Sequence, residues 1–168
     1  MKKTTRYRGN GFTLVELLVC VAIIAMLSAA GVLGFSGVQN QVKKRKTSTL
    51  IKLIENSLDS YYLDNGEYPA GTGAAETNSS VLFTKLGGYT TTGAVDDDEE
   101  CYADFLDPNG SGANTVSNST GTYLIMDPFG QAIRYIDAAT DSTINNPDFD
   151  LWSLGKKADD ALDDITNW

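Results

Sequence analysis

The sequence predicts an α+β protein in which one long N-terminal helix packs its outer half on a small antiparallel sheet. Three observations predict it. An apolar run from Phe12 to Phe35 holds a single charge, Glu16. A stripe of Leu50, Leu53, Ile54, Leu58, Tyr61 and Tyr62 follows at three- and four-residue spacing, the period of an amphipathic helix. The last third then changes to short β-rich runs set between glycines and prolines, the pattern of hairpin strands.

At 168 residues there is room for one domain plus an anchor. Four segments are expected: a leader over 1–11, a transmembrane and assembly helix over 12–35, its amphipathic continuation over 36–63, and an acidic globular head over 64–168 that ends in an acidic loop. The net charge of −9 conceals a strong asymmetry. Residues 1–58 carry nine Lys/Arg against Glu16 and Glu55, a local +7, whereas residues 59–168 carry four against twenty, a local −16. A head this acidic repels nucleic acid and suits solubility or cation binding. There is no histidine, which excludes Ser-His-Asp and Cys-His catalysis. Cys20 lies inside the apolar run, as a small buried apolar residue, and Cys101 lies far along the acidic part. No disulfide between them is expected, and Cys101 reads as a free thiol.

The run from Phe12 to Phe35 would make a helix about 36 Å long, against a hydrocarbon core of about 30 Å. A secretory signal has a shorter apolar core, of about 7–15 residues, with its cleavage site behind it. Ala29-Ala30-Gly31 mimics such a site, but the flexible Asn10-Gly11 break stands ahead of the run. Lys2, Lys3, Arg6 and Arg8 precede the span and place the leader in the cytoplasm and the head outside. The cluster Lys43-Lys44-Arg45-Lys46 beyond the span argues the other way, and the leader, adjacent to the span, outweighs it. That cluster reads as a solvated face, or as a contact with lipid headgroups or with the acidic head of another copy. Glu16 is the costly residue. A carboxylate inside a membrane-length helix needs a partner, and a cut after Gly11 would create an ammonium that could supply one, each charge alone being expensive in low dielectric.

The helix should end near Asp64, since Asn65-Gly66 and Pro69 break it. A polar stretch over 70–80 leads to a short helix over Val81–Leu86 that stops at Gly87-Gly88. Asp96 to Glu100 reads as an exposed acidic loop, and Pro108 to Thr122 as a flexible connection. Thr122–Met126 and Gln131–Ile136 read as strands joined by an Asp127-Pro128-Phe129-Gly130 turn, with Phe149–Ser153 as a third strand. Such a sheet needs a cover on one face, and the Leu50–Tyr62 stripe supplies it.

Gly11 followed by Phe12-Thr13-Leu14-Val15-Glu16-Leu17-Leu18 resembles the N-terminus of type IV pilins and type II secretion pseudopilins. The resemblance implies that a prepilin peptidase cuts between Gly11 and Phe12, that the Phe12 amine is N-methylated, and that Glu16 pairs with the Phe12 amine of a neighbour in a helical filament. Tyr61 to Pro69 resembles the exit from the long helix in these families. Tyr123 to Gly130 with Arg134-Tyr135, Phe149 to Gly155, and Asp164 to Trp168 are similar to the major pseudopilins of type II secretion. Many type IV pilins close a C-terminal loop with a disulfide, and no cysteine pair suits that here. Where the family commonly has a proline near Leu33, this chain has Gly31, Gly34 and Gly37, which weaken a helix by another route.

The implied function is that of a non-enzymatic pseudopilus subunit anchored once in the inner membrane, head in the periplasm. Its implied partners are copies of itself, the prepilin peptidase, other pseudopilins, inner-membrane secretion components and the membrane. The alternatives are a type IV pilin for adhesion, motility or DNA uptake, and a signal-anchored periplasmic enzyme built on a carboxylate pair. The resemblance also implies a calcium ion in the C-terminal loop, held by Asp160, Asp163, Asp164 and the Leu154 carbonyl. Lys156-Lys157 and Ala158 depart from that pattern, so an ion-paired loop neutralised by lysine and a plain acidic tail are the competing expectations.

Overall fold

The structure, a computed structural model, describes residues 12–71, 78–110, 116–119 and 121–168, the side chains of 29–36 and 117–119 excepted. The expected leader with Gly11 lies outside the described residues, as do 72–77 of the polar stretch and the side chains of Gly31 and Gly34. The chain divides into two compact units, Met1–Gln39 and Asn40–Trp168.

Helix α1 runs from Leu14 to Asn65. In the first unit its described apolar side chains face outward: Leu14 is 80 % exposed and Leu27 69 %. Cys20, expected to be buried, is exposed too. Among the described residues no helix is long and apolar enough to cross a membrane. The run expected to do so, 12–35, includes side chains outside that description.

In the second unit α1 buries Thr47, Leu50, Ile51, Ile54, Ser57 and Leu58. This corrects the expected stripe. Leu53 and Tyr62 are 42 % and 44 % exposed, because at about 100° per residue they fall off the face centred on Ile54, and Ile51 takes the inward place. The helix ends at Asn65 as expected. Gly66, at φ +76, donates its N–H to the Tyr62 carbonyl at 2.8 Å, and the Asn65 side-chain amide donates to the Tyr61 carbonyl at 2.9 Å, two bonds that close the last turn.

Helix α2 spans Asn78–Gly87 and starts earlier than the apolar pattern predicts. Its first turn is buried by polar cross-links instead. The Asn78 amide donates to the Tyr135 carbonyl at 2.8 Å, and the Ser79 hydroxyl both accepts from the Ile125 N–H at 2.9 Å and donates to the Ile125 carbonyl at 3.1 Å. Further along, Phe83 stacks between Tyr89 and Tyr123, with centroids 5.4 and 5.2 Å away.

Five strands follow among the described residues. β1 (Val116–Ser119) pairs antiparallel with β2 (Thr122–Ile125), Val116 opposite Ile125. This pair corrects the flexible connection expected over Pro108 to Thr122. Its polar composition hid a strand whose buried apolar residue is Val116. β3 (Arg134–Asp137), β4 (Phe149–Ser153) and β5 (Ile165–Thr166) form the second sheet in that order, all antiparallel.

The Asp127–Gly130 turn joins the two sheets through a Met126–Ala132 bridge. Asp127, buried, is the turn's organiser. Its Oδ1 accepts the Phe129 and Gln131 N–H groups, each at 2.8 Å, and its Oδ2 accepts the Ser153 hydroxyl of β4. One core unites Ile54 and Leu58 of α1, Phe83 and Leu86 of α2, Ile125, Tyr135 and Leu151.

Candidate functional site

The expected processing and assembly site lies at the start of α1. Thr13 and Glu16 stand three residues apart, the spacing of a capping box, and they pair reciprocally. Glu16 Oε2 accepts the Thr13 N–H and the Thr13 hydroxyl, each at 2.9 Å, while the Thr13 hydroxyl accepts the Glu16 N–H at 3.2 Å. The first turn closes with the Leu17 N–H on the Thr13 carbonyl at 3.2 Å. Thr13 thus fixes one Glu16 oxygen, and no described residue bonds to the other, Oε1. Phe12 is 78 % exposed immediately before the cap. Sequence reasoning singled out Glu16 and passed over Thr13, although the Thr-x-x-Glu spacing signals the pairing.

The basic cluster is not simply a solvated face. Lys43 sits over the Phe129 ring, Nζ 5.5 Å from its centroid, a cation–π contact. Lys44 Nζ bonds to Asp163 Oδ1 at 2.8 Å. Arg45 and Lys46 are exposed. Two of the four cations therefore reach the tip of the β2–β3 turn and the C-terminal loop of the same head.

That loop begins at Gly155, whose φ of +64 suits glycine, and whose Cα packs against the Asp163 carbonyl with no space for a Cβ. Asp160 caps the single turn Ala161–Asp163 by accepting the Leu162 N–H at 3.2 Å, and its Oδ2 lies 3.8 Å from Lys157 Nζ. The hydrogen bond from Lys44 holds the Asp163 carboxyl below the usual carboxylate range. Burial pushes Asp164 up, opposed by the Arg134 charge. The chain then pairs as β5 with β4, and Trp168 packs edge-on to Trp152 at 6.0 Å.

The structure brings Asp160, Asp163 and Asp164 into one loop but turns them to different partners. Calcium takes six to eight oxygens at about 2.3–2.6 Å. Among the described residues, which include the whole loop, no three acidic side chains converge to hold a metal. The donor set as placed does not fit the ion.

Elsewhere in the head, Asp137 is buried where Gly71 donates its N–H at 2.7 Å and Thr140 its N–H at 3.0 Å and its hydroxyl at 2.7 Å. Burial raises its pKa, but these bonds outweigh it and hold the carboxyl below its ordinary value. Glu55, Asp59 and Asp148 line a shallow groove with Tyr68 and Phe149. The Tyr68 hydroxyl contacts Asp59 at 3.5 Å, and burial with the Asp148 and Asp59 charges raises its pKa.

Residues 6–32 match the family described as the prokaryotic N-terminal methylation motif. Type II secretion system core protein G of Pectobacterium carotovorum is 36 % identical over 79 residues, 47 % of this chain and 48 % of the relative. The chain therefore spans about half the length of that relative, and 46 % of the Escherichia coli one. The Vibrio cholerae protein of the same name is 35 % identical over 95 residues, covering 53 % of this chain and 64 % of its own. The Pseudomonas aeruginosa one is 29 % identical over 169 residues, 97 % of each chain. A crystal structure of the major pseudopilin from the type 2 secretion system of enterohaemorrhagic Escherichia coli superposes with a TM-score of 0.44 at 22 % identity, over 79 % of this chain and 92 % of that one. The resemblance carried by Gly11–Leu18 and by the C-terminal strands holds: the methylation motif is present, and the similar curated proteins are core protein G of type II secretion.

Proposed function

We propose that this chain is a non-enzymatic structural subunit of a type II secretion pseudopilus, cut between Gly11 and Phe12 by a prepilin peptidase and polymerised through α1. The observation that carries the reading is the methylation motif over residues 6–32 set on a helix whose apolar side chains face outward. A row of exposed Leu, Val and Ile side chains is stable in lipid or against other helices, and unstable in water. Before assembly the segment 12–35 anchors the chain once in the inner membrane, with the head in the periplasm. After assembly it packs against copies of itself.

Glu16 sets the register. Thr13 steadies one of its oxygens, leaving Oε1 to accept a hydrogen bond from the Phe12 ammonium of a neighbour. A buried carboxylate and ammonium that meet only on docking reject misaligned neighbours, because each alone is a buried unpaired charge. The relatives' names favour this reading over a type IV pilin.

Glu16→Ala tests it. The variant should fractionate with membranes as the unaltered chain does, while disulfide- or formaldehyde-crosslinked multimers fall about ten-fold or more. Multimers at the original level would remove Glu16 from the mechanism.

A further inference from the structure

We infer that the C-terminal acidic loop is held by lysine ammonium groups in place of a divalent cation, with Lys44 of α1 as the pin. This goes beyond the assembly reading and does not depend on it.

Residues 154–168 contain Asp159, Asp160, Asp163 and Asp164 against Lys156 and Lys157, a net −2. Lys44 arrives from 119 residues away and bonds to Asp163 at 2.8 Å, and the Arg134 charge on β3 acts on Asp164. These two cations bring the loop to neutrality. A bound calcium would leave it at +2, with Lys44 and Lys157 next to the ion. Three of the loop's carboxylate oxygens also have partners already. Asp160 spends one on the Leu162 N–H and turns the other toward Lys157, and Asp163 Oδ1 holds Lys44. To gather around an ion, they would have to release the short turn Ala161–Asp163 and the pin to α1.

A single ammonium offsets only one carboxylate charge, so it gathers carboxylates at one point less well than a divalent ion does. It can instead tie one carboxylate of the loop to one turn of the helix. That is the arrangement observed: the loop leaves β4 at Gly155, is pinned to α1 at Asp163, and returns as β5 to the edge of β4. The exposed flank of the pin, with Lys44 44 % accessible, makes it sensitive to salt.

The chain's two tryptophans, Trp152 and Trp168, flank this loop and report on it. The experiment uses the full chain in detergent micelles, stripped with EDTA and then titrated with calcium chloride to millimolar concentration. Expected are no saturable change in tryptophan emission and the same thermal midpoint with calcium as with EDTA. A saturable change, or a midpoint that rises with calcium, overturns the inference. A second arm is hydrogen exchange of Lys44→Gln. Amides of 155–166 should exchange about two- to five-fold faster, with or without calcium, while those of α2 keep their protection. Unchanged loop protection in that variant also overturns it. Neither arm involves filaments, so failure here leaves the assembly reading untouched.

Discussion

Leu58→Ala measures how firmly the outer half of α1 is welded to the head, and Leu53→Ala, five residues earlier, is its internal control. Leu58 is fully buried among Ile54, Leu151 and the rest of the core, whereas Leu53 is 42 % exposed. Removing three carbons from a buried leucine forfeits about 2.4 kcal/mol of transfer free energy at about 0.8 kcal/mol per methylene. The cavity left behind brings such losses to about 3–5 kcal/mol. For a folded unit of this size that lowers the thermal midpoint by about 10–20 °C, out of a total stability of about 5–15 kcal/mol. Leu53→Ala should cost less than about 1 kcal/mol. Thermal unfolding of the full chain in micelles, followed by tryptophan emission, reads both variants, because both tryptophans lie in the head. Equal losses for the two would refute the assigned helix face, and with it the packing of α1 on the sheet.

Two further predictions follow from the head. Asp137→Asn keeps one acceptor oxygen and orphans a donor of Thr140 or Gly71, for a cost of about 1–3 kcal/mol by urea unfolding. The native carboxyl titrates below its unfolded value of about 3.9. It therefore adds stability above that pH and loses it as pH falls through the lower native value; the variant should show a flatter midpoint against pH below about 4, and an unchanged slope would contradict the hydrogen-bond account. Gly155→Ala forces a side chain into positive φ and against the Asp163 carbonyl. It should strip exchange protection from β5 while sparing β1 and β2, and normal protection of Ile165 and Thr166 would show that the close approach is not needed.

Helix α1, its stop at Asn65–Gly66, the strand Phe149–Ser153 and the Asp-Pro-Phe-Gly turn were legible because each rests on local chemistry: periodicity, a glycine in the left-handed region, or a β-rich run between breakers. Strand β1 and the first turn of α2 were not. The first turn of α2 is held by a partner distant in sequence, Ile125 for Ser79, and β1 by its hairpin partner β2, and the composition of both is that of a loop. Leu53 and Tyr62 fitted three-and-four spacing, yet only packing could decide that Ile51 faces inward in their place. At the candidate site, Phe12 and Glu16 stood out by motif, while the Thr13 cap was available in the spacing and overlooked. The pairing of Lys44 with Asp163 could not be read at all, since a charge cluster and an acidic loop carry no record of which cation meets which carboxylate.

Assembly as proposed depends most on proteolysis baring the Phe12 nitrogen at the head of α1. Intact-mass and N-terminal peptide spectrometry of the chain purified from membranes addresses that directly. The expected mature chain starts at Phe12 with one methyl group on its amine. A chain that keeps residues 1–11, or that starts elsewhere, such as after Ala30, contradicts it.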